Sequence, residues 1–325
     1  MRFRCRATLL GAMILLPTVA STQPTPVATA NAVKFTVIST MLSGMPGAGI
    51  GEWGFAGVLE TDGHRLLVDT GARADAVLRN AEELRIDLST VTDLVLTHNH
   101  QDHTGGLLTL RRELSRKNPK ALSRVHVPAG IFLSRLGADG REQNGLLPLK
   151  AAFEGSGGVF IEHKGPFEIS PGVWLLGPVP RVHPERNFST SGRVQTPAGP
   201  VEDNVPEDTA VVINAASGLI VISGCGHAGI VNTTEYARKV VREAPIEAAI
   251  GGFHLFAATD DHLAWTAGRL KAVGIRHLLG AHCTGIEAVF RLRQLTGLAR
   301  RDAVVGAVGS SYTLGSGIDA LSLAK

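Results

Sequence analysis

The sequence predicts an α/β protein. Apolar runs of strand length alternate with segments of helical apolar spacing, most sharply after residue 208. An Asp62-Gly63 pair joins two apolar runs as a tight hairpin would. No tandem repeat replaces the alternation.

In chain order, VKFTVIST (33–40), FAGVLETDG (55–63) and HRLLVDTG (64–71) read as strands. ADAVLRNAEELRI (74–86) has apolar residues at helical spacing, VTDLVLTH (91–98) is a buried-type strand, and GGLLTLRRELSRK (105–117) is a helix. From residue 118 to about 200 the pattern is mixed, with VHVPAGIF, GVFIEH and GVWLLGPV as strands. Residues 187–208 read as a long loop. TAVVINA and GLIVISG then resume as strands, followed by the helix TTEYARKVVREA and the strand IEAAIGGFH. The helix DDHLAWTAGRLKAVG, the strand IRHLLGAH and the helix IEAVFRLRQLTG follow.

The first twenty residues carry Arg2, Arg4 and Arg6 ahead of an apolar run from Ala7 to Ala20 that ends in small residues. That run is short for a membrane span, so residues 1–20 are expected to be a cleavable export signal, the alternative being an uncleaved anchor. Residues 21–32, rich in Pro and Thr, are expected to be a flexible lead-in, and 33–325 the folded domain. The expected location is periplasmic or secreted. Without those three arginines the 32 basic residues become 29, equal to the 29 acidic ones. A near-neutral chain with no basic stripe argues against nucleic acid as a partner. No later stretch is long and apolar enough to span a membrane. Cys225 and Cys283 are the cysteines left after the signal, which is no disulfide framework. The expected partner is a small-molecule substrate; the oligomeric state is left open.

The stretch THNHQDHTGG (97–106) holds His98, His100, Asp102 and His103 between a strand and a helix. His98 and His100, two apart at a strand end, can point to the same side, and Asp102 and His103 open the next helix. Imidazoles and a carboxylate in that number suit a borderline divalent ion, Zn first, with Fe or Mn as alternatives. Such an ion lowers the pKa of a bound water toward about 7 and makes it a hydroxide nucleophile. A polar surface loop is the competing reading of the same residues.

THNHQDHTGG resembles the H-x-H-x-D-H signature of the metallo-β-lactamase superfamily, and the likeness extends to the upstream LLVDTG. GFAGVLETDG, ISGCGHAGIVN, GGFHL and GAHCTG are similar to the branch related to dihydropterin ribofuranosyl-aminobenzene phosphate synthase. The resemblance implies an αββα sandwich with one or two metal ions at an edge between the sheets. By it, His98 and His100 serve one metal, Asp102 and His103 the other. His227, His254 and His282, each at the end of a later strand, become the candidates to complete the set. The chain order resembles that of tRNA-processing nucleases of the superfamily, which implies His227 and His282 as ligands and His254 as a catalytic residue or one behind the ligands; Asp102 or His254 is expected to handle the proton. A buried structural role competes for each late histidine.

Many members of the superfamily place a bridging aspartate where this chain has Gly224-Cys225. Cys225 then reads as a thiolate ligand or as a small core residue, with the core role preferred, and Cys283 likewise as core. Asp69 reads as a carboxylate that orients a histidine. His64, His126, His163, His262 and His277 are expected to be solvated or core residues. His183 precedes a loop that, with Arg181, Arg186, Asn187 and Arg193, would lie over the metal edge and meet an anionic group, or else remain a solvated lid.

The resemblance and the ligand loop together predict a metal-dependent hydrolase of a small-molecule ester, phosphoester or pterin-like substrate. An iron-dependent oxygenase and a non-catalytic metal-stabilised binding protein are the rivals.

Overall fold

The computed structural model describes residues 1, 27–185, 187, 192–322 and 324. The expected export signal, the lead-in up to residue 26, and Arg186 lie outside the described residues. From Ala28 the lead-in is held: Asn214 Nδ2 donates to Ala28 O at 2.7 Å, and Ala30 N to Asn214 O at 2.8 Å. Asp62 accepts from the amides of Asn31 and Ala32.

Among the described residues the strands build two large sheets. In the first, eight strands run in the order Gly317–Asp319, Ser311–Thr313, Val33–Ser39, Ala56–Thr61, His64–Val68, Asp93–Val95, Arg124–Pro128, Val159–His163. The second has seven, in the order Ala303–Val305, His277–Gly280, Ile246–Gly251, Gly218–Ser223, Ala210–Ala215, Val173–Leu175, Phe167–Ser170. The strands that lead into the histidine motifs run parallel within each sheet. Parallel strands put their carboxyl ends, and the loops that follow, on one edge, where sites in α/β folds collect.

Strand periodicity makes the layers. Ile220 and Ile222 face the first sheet, while Leu219 and Val221, one residue out of step, face outward under helices. Val58 and Leu59 divide in the same way in the first sheet. Three buried clusters result: one between the sheets, around Phe35, Leu66, Val211 and Ile250; one under the helices Ala74–Glu83, Leu107–Ser115 and Leu146–Gly155; and one under Ile230–Val240, Asp260–Ala272 and Ile286–Thr296. This is the αββα sandwich.

The hairpin at Asp62-Gly63 forms, with both residues at positive φ (41° and 84°), as a tight two-residue turn requires. The stretch read as one long loop, 187–208, is different. Within it Arg193–Thr196 and Gly199–Glu202 form a hairpin that also pairs with Arg135–Leu136 as a small third sheet. The turn Thr196-Pro-Ala-Gly199 is closed by Thr196 Oγ1 donating to Gly199 O at 2.7 Å, and Val194 is fully buried. Four-residue strands among Gly, Pro and Ser give too short a period-2 signal to read. The mixed region also holds the helix Leu146–Gly155, which tolerates Pro148 because it falls in the first turn.

Candidate metal centre

Asp69 follows the strand His64–Val68 with φ of 58° and is fully buried. Its Oδ1 accepts from Thr97 N at 2.8 Å, and its Oδ2 from Thr97 Oγ1 at 2.8 Å and from His103 Nδ1 at 2.7 Å. A hydroxyl has one hydrogen. With that hydrogen spent on Asp69, Thr97 Oγ1 accepts from His98 Nδ1 at 3.0 Å. In the neutral form of both rings this order of donors keeps the proton of His98 and His103 on Nδ1 and leaves Nε2 as the lone pair. Both Nε2 atoms are buried and have no hydrogen-bond partner among the described residues. Gly224 permits the arrangement, since a Cβ there would come within 2.2 Å of Thr97 Oγ1 and 2.4 Å of Asp69 Oδ2.

His98 and His100 meet His227, which follows the strand Gly218–Ser223 of the other sheet. Ring centroids are 4.6 Å apart for His98 and His100, 4.7 Å for His98 and His227, and 4.9 Å for His100 and His227. Asp102 and His103 meet His282: Asp102 Oδ2 is 3.2 Å from His282 Nε2 and 3.8 Å from His103 Nε2. In each of the groups His98/His100/His227 and Asp102/His103/His282, one ligand atom per residue lies within 4.8 Å of the others. The groups adjoin through His98 and His103, whose rings are 4.2 Å apart. Cys225 faces the junction, in a third such group with His98 and His103.

Burial, reinforced by the neighbouring imidazoles, lowers the pKa of His98 and His227 well below the ordinary histidine value. His100 falls to about 4, again chiefly through burial. Burial also opposes charge on His103, but Asp69 and Asp102 outweigh it and lift it to about 9. Neutral imidazoles are the ligand form, and a carboxylate pair beside them favours positive charge. The buried Nε2 atoms of His98 and His103, converging with His100, His227 and His282 next to acids that attract a cation, fit a divalent ion. Geometric strain gathers here too: His254 and His282 hold φ of 49° and 47°.

His254 is set apart from both triads. Its ring is 4.6 Å from that of His227, and its Nδ1 is 3.3 Å from Cys225 Sγ. With Asn187, Phe256, Thr259 and His262 it lines an open cleft of about 400 Å³. Of the residues expected over the metal edge, Asn187 is there, donating to Gly226 O and Phe253 O. Arg181 donates to Asn204 O and Val205 O, and His183 is engaged by Glu235 at 2.7 Å and by Arg269, so these two serve the scaffold. Arg193 is exposed on the small sheet.

Several contributors were not read from the sequence. Glu207, fully buried beside Arg135, accepts from Asn99 N, and Asp208 accepts from Ala228 N at 2.8 Å, so adjacent acids brace both histidine loops. The acids of PED before TAVVINA were the available signal. Trp53 and Phe256, about half exposed, form the rim: the Trp53 ring is 4.9 Å from His282 and 5.8 Å from Phe256. Nothing local marks either aromatic as a rim residue.

Fold and site together define a sandwich protein with a cluster of histidines and a carboxylate at the sheet edge that could hold metal ions. The chain belongs to the metallo-beta-lactamase superfamily, whose family model matches residues 54–240. A Methanocaldococcus jannaschii protein named 7,8-dihydropterin-6-methyl-4-(beta-D-ribofuranosyl)-aminobenzene-5'-phosphate synthase is 32% identical over 231 residues, 69% of this chain and 76% of that protein. The crystal structure of Tm1679, described as a metal-dependent hydrolase of the beta-lactamase superfamily, is similar with a TM-score of 0.68 and 25% identity, covering 86% of this chain and 98% of that one. The metallo-beta-lactamase fold protein YhfI from Bacillus subtilis shares the fold at a TM-score of 0.51 and 14% identity, over 87% of this chain and 100% of that one.

Proposed function

We propose that this protein is an exported metal-dependent hydrolase of a small-molecule ester, phosphoester or pterin-like substrate. The observation that carries the reading is the pair of adjoining triads, His98/His100/His227 and Asp102/His103/His282, at an open edge. In this reading each triad holds one divalent ion, zinc by the chemistry of its ligands. When bound, such ions supply Lewis acidity and a water acidic enough to act as a nucleophile near neutral pH. The chain's own residues do the rest. Asp69 and Thr97 fix the tautomers of His103 and His98, Asp102 and His254 move protons at the reacting centre, and the cleft beside His254 receives the substrate.

The relative named a synthase supports a second reading on the same residues, in which the acceptor of the transferred group is not water. Metal analysis of the purified protein followed by an ester and phosphodiester panel separates them. Turnover of a panel member with release of both hydrolysis products is the expected result. A metal-loaded protein inert toward the whole panel would overturn the hydrolase reading. Export is checked by fractionation and N-terminal sequencing, with a mature start near Ser21 expected and an intact Met1 in the cytoplasm counting against it.

A further inference from the structure

Two thiols beside the metal centre take no part in the reading above. Cys225 follows the strand Gly218–Ser223 and Cys283 follows His277–Gly280, and the strand Ile246–Gly251 lies between these two in the sheet. The sulfurs nevertheless meet across the end of that middle strand, 3.0 Å apart. Gly252 lets them: a Cβ there would stand 2.9 Å from Cys283 Sγ and 3.1 Å from Cys225 Cα. Neither thiol is tied into a disulfide, and both are buried. A disulfide bond measures about 2.05 Å, so the pair needs to close by about an ångström.

Buried thiols are ordinarily inert for want of access. Here one neighbour of the pair lines an open cleft. Cys225 Sγ is 3.3 Å from Nδ1 of His254, which lines the open cleft with Phe256 and Thr259. His254 thus stands between the cleft and Cys225, and Cys283 is the next group beyond Cys225.

We propose that Cys225 and Cys283 form a reversible thiol–disulfide site that peroxide oxidises through the His254 cleft. The Cys225 sulfur attacks one peroxide oxygen and the O–O bond breaks, giving a sulfenic acid; the departing oxygen leaves as water with the thiol's proton. Cys283 then attacks the sulfenic sulfur, the S–S bond forms, and the second oxygen leaves as water with the second thiol's proton. Two sulfurs are oxidised by one electron each, and the two peroxide oxygens are reduced. The bond would use the same Cys225 Sγ that shares a ligand group with His98 and His103.

The test treats the intact metal-loaded protein with hydrogen peroxide, alkylates it after denaturation, and maps its peptides by mass. A peptide linking Cys225 to Cys283 is expected in most molecules, either after treatment or already on isolation, and dithiothreitol should restore both alkylated peptides. In Cys283→Ser no link is expected, and Cys225 should instead proceed to the sulfinic acid. Two alkylatable thiols surviving the peroxide, or separate sulfinic acids on each sulfur in the wild type, would overturn the proposal. The wild-type map is decisive by itself if the variant does not fold.

Discussion

His103 Nδ1 lies 2.7 Å from Asp69 Oδ2, with both side chains fully buried. The pairing fixes which nitrogen of His103 faces the centre, and through Thr97 the same carboxylate fixes His98.

Asp69→Asn should therefore weaken metal binding by about 10- to 100-fold while every direct ligand stays in place, the usual cost of losing a partner behind a ligand. Competition with a chromophoric chelator measures it. Unchanged affinity would show that Asp69 serves the fold alone.

His100 is the most exposed histidine of its triad, since His98 and His227 are buried. His100→Ala should lose metal and activity together and leave circular dichroism unchanged. Full metal occupancy in the variant would exclude His100 as a ligand.

His282 touches Asp102 in the second triad, whereas His254 sits between Cys225 and the cleft. His282→Ala is expected to lower metal content. His254→Ala should keep the metal and lower kcat by about a hundredfold or more, as loss of a proton donor does. Metal analysis and turnover on both variants decide the assignment, and the opposite pattern would reverse it.

Outside the cluster, His126 Nδ1 is 3.0 Å from His163 Nε2, and Asp93 Oδ1 is 3.2 Å from His126 Nε2. Burial, then the neighbouring His126, lowers His163 to about 4 from an ordinary 6.5. The unfolded chain thus takes up a proton, as pH falls below 6.5, that the folded chain refuses until about 4. Stability from this site is complete above 6.5 and is lost as pH drops through that window. Urea melts across the window should show the slope in the wild type and a shallower one in His163→Gln. Equal slopes would remove His163 as its source.

What the sequence determined by itself was local. Strands such as TAVVINA and GLIVISG, the Asp62-Gly63 hairpin and the ligand loop His98 to His103 were legible because each is written in the spacing of near neighbours, which sets faces and turns directly. The late histidines were legible through the resemblance to the family, and Asp69 as a carboxylate at a strand end placed to orient one. The tertiary structure decided which late histidine meets which early ligand. His227 joins His98 and His100, and His282 joins Asp102 and His103, because two separately patterned sheets pack with their strand ends on one edge. Residues brought together that way carry no mutual spacing in the chain. The contact of Cys225 with Cys283 over Gly252 and the bracing of the motif by Glu207 were invisible for the same physical reason: each depends on sheet order and side-chain packing, to which local periodicity is blind.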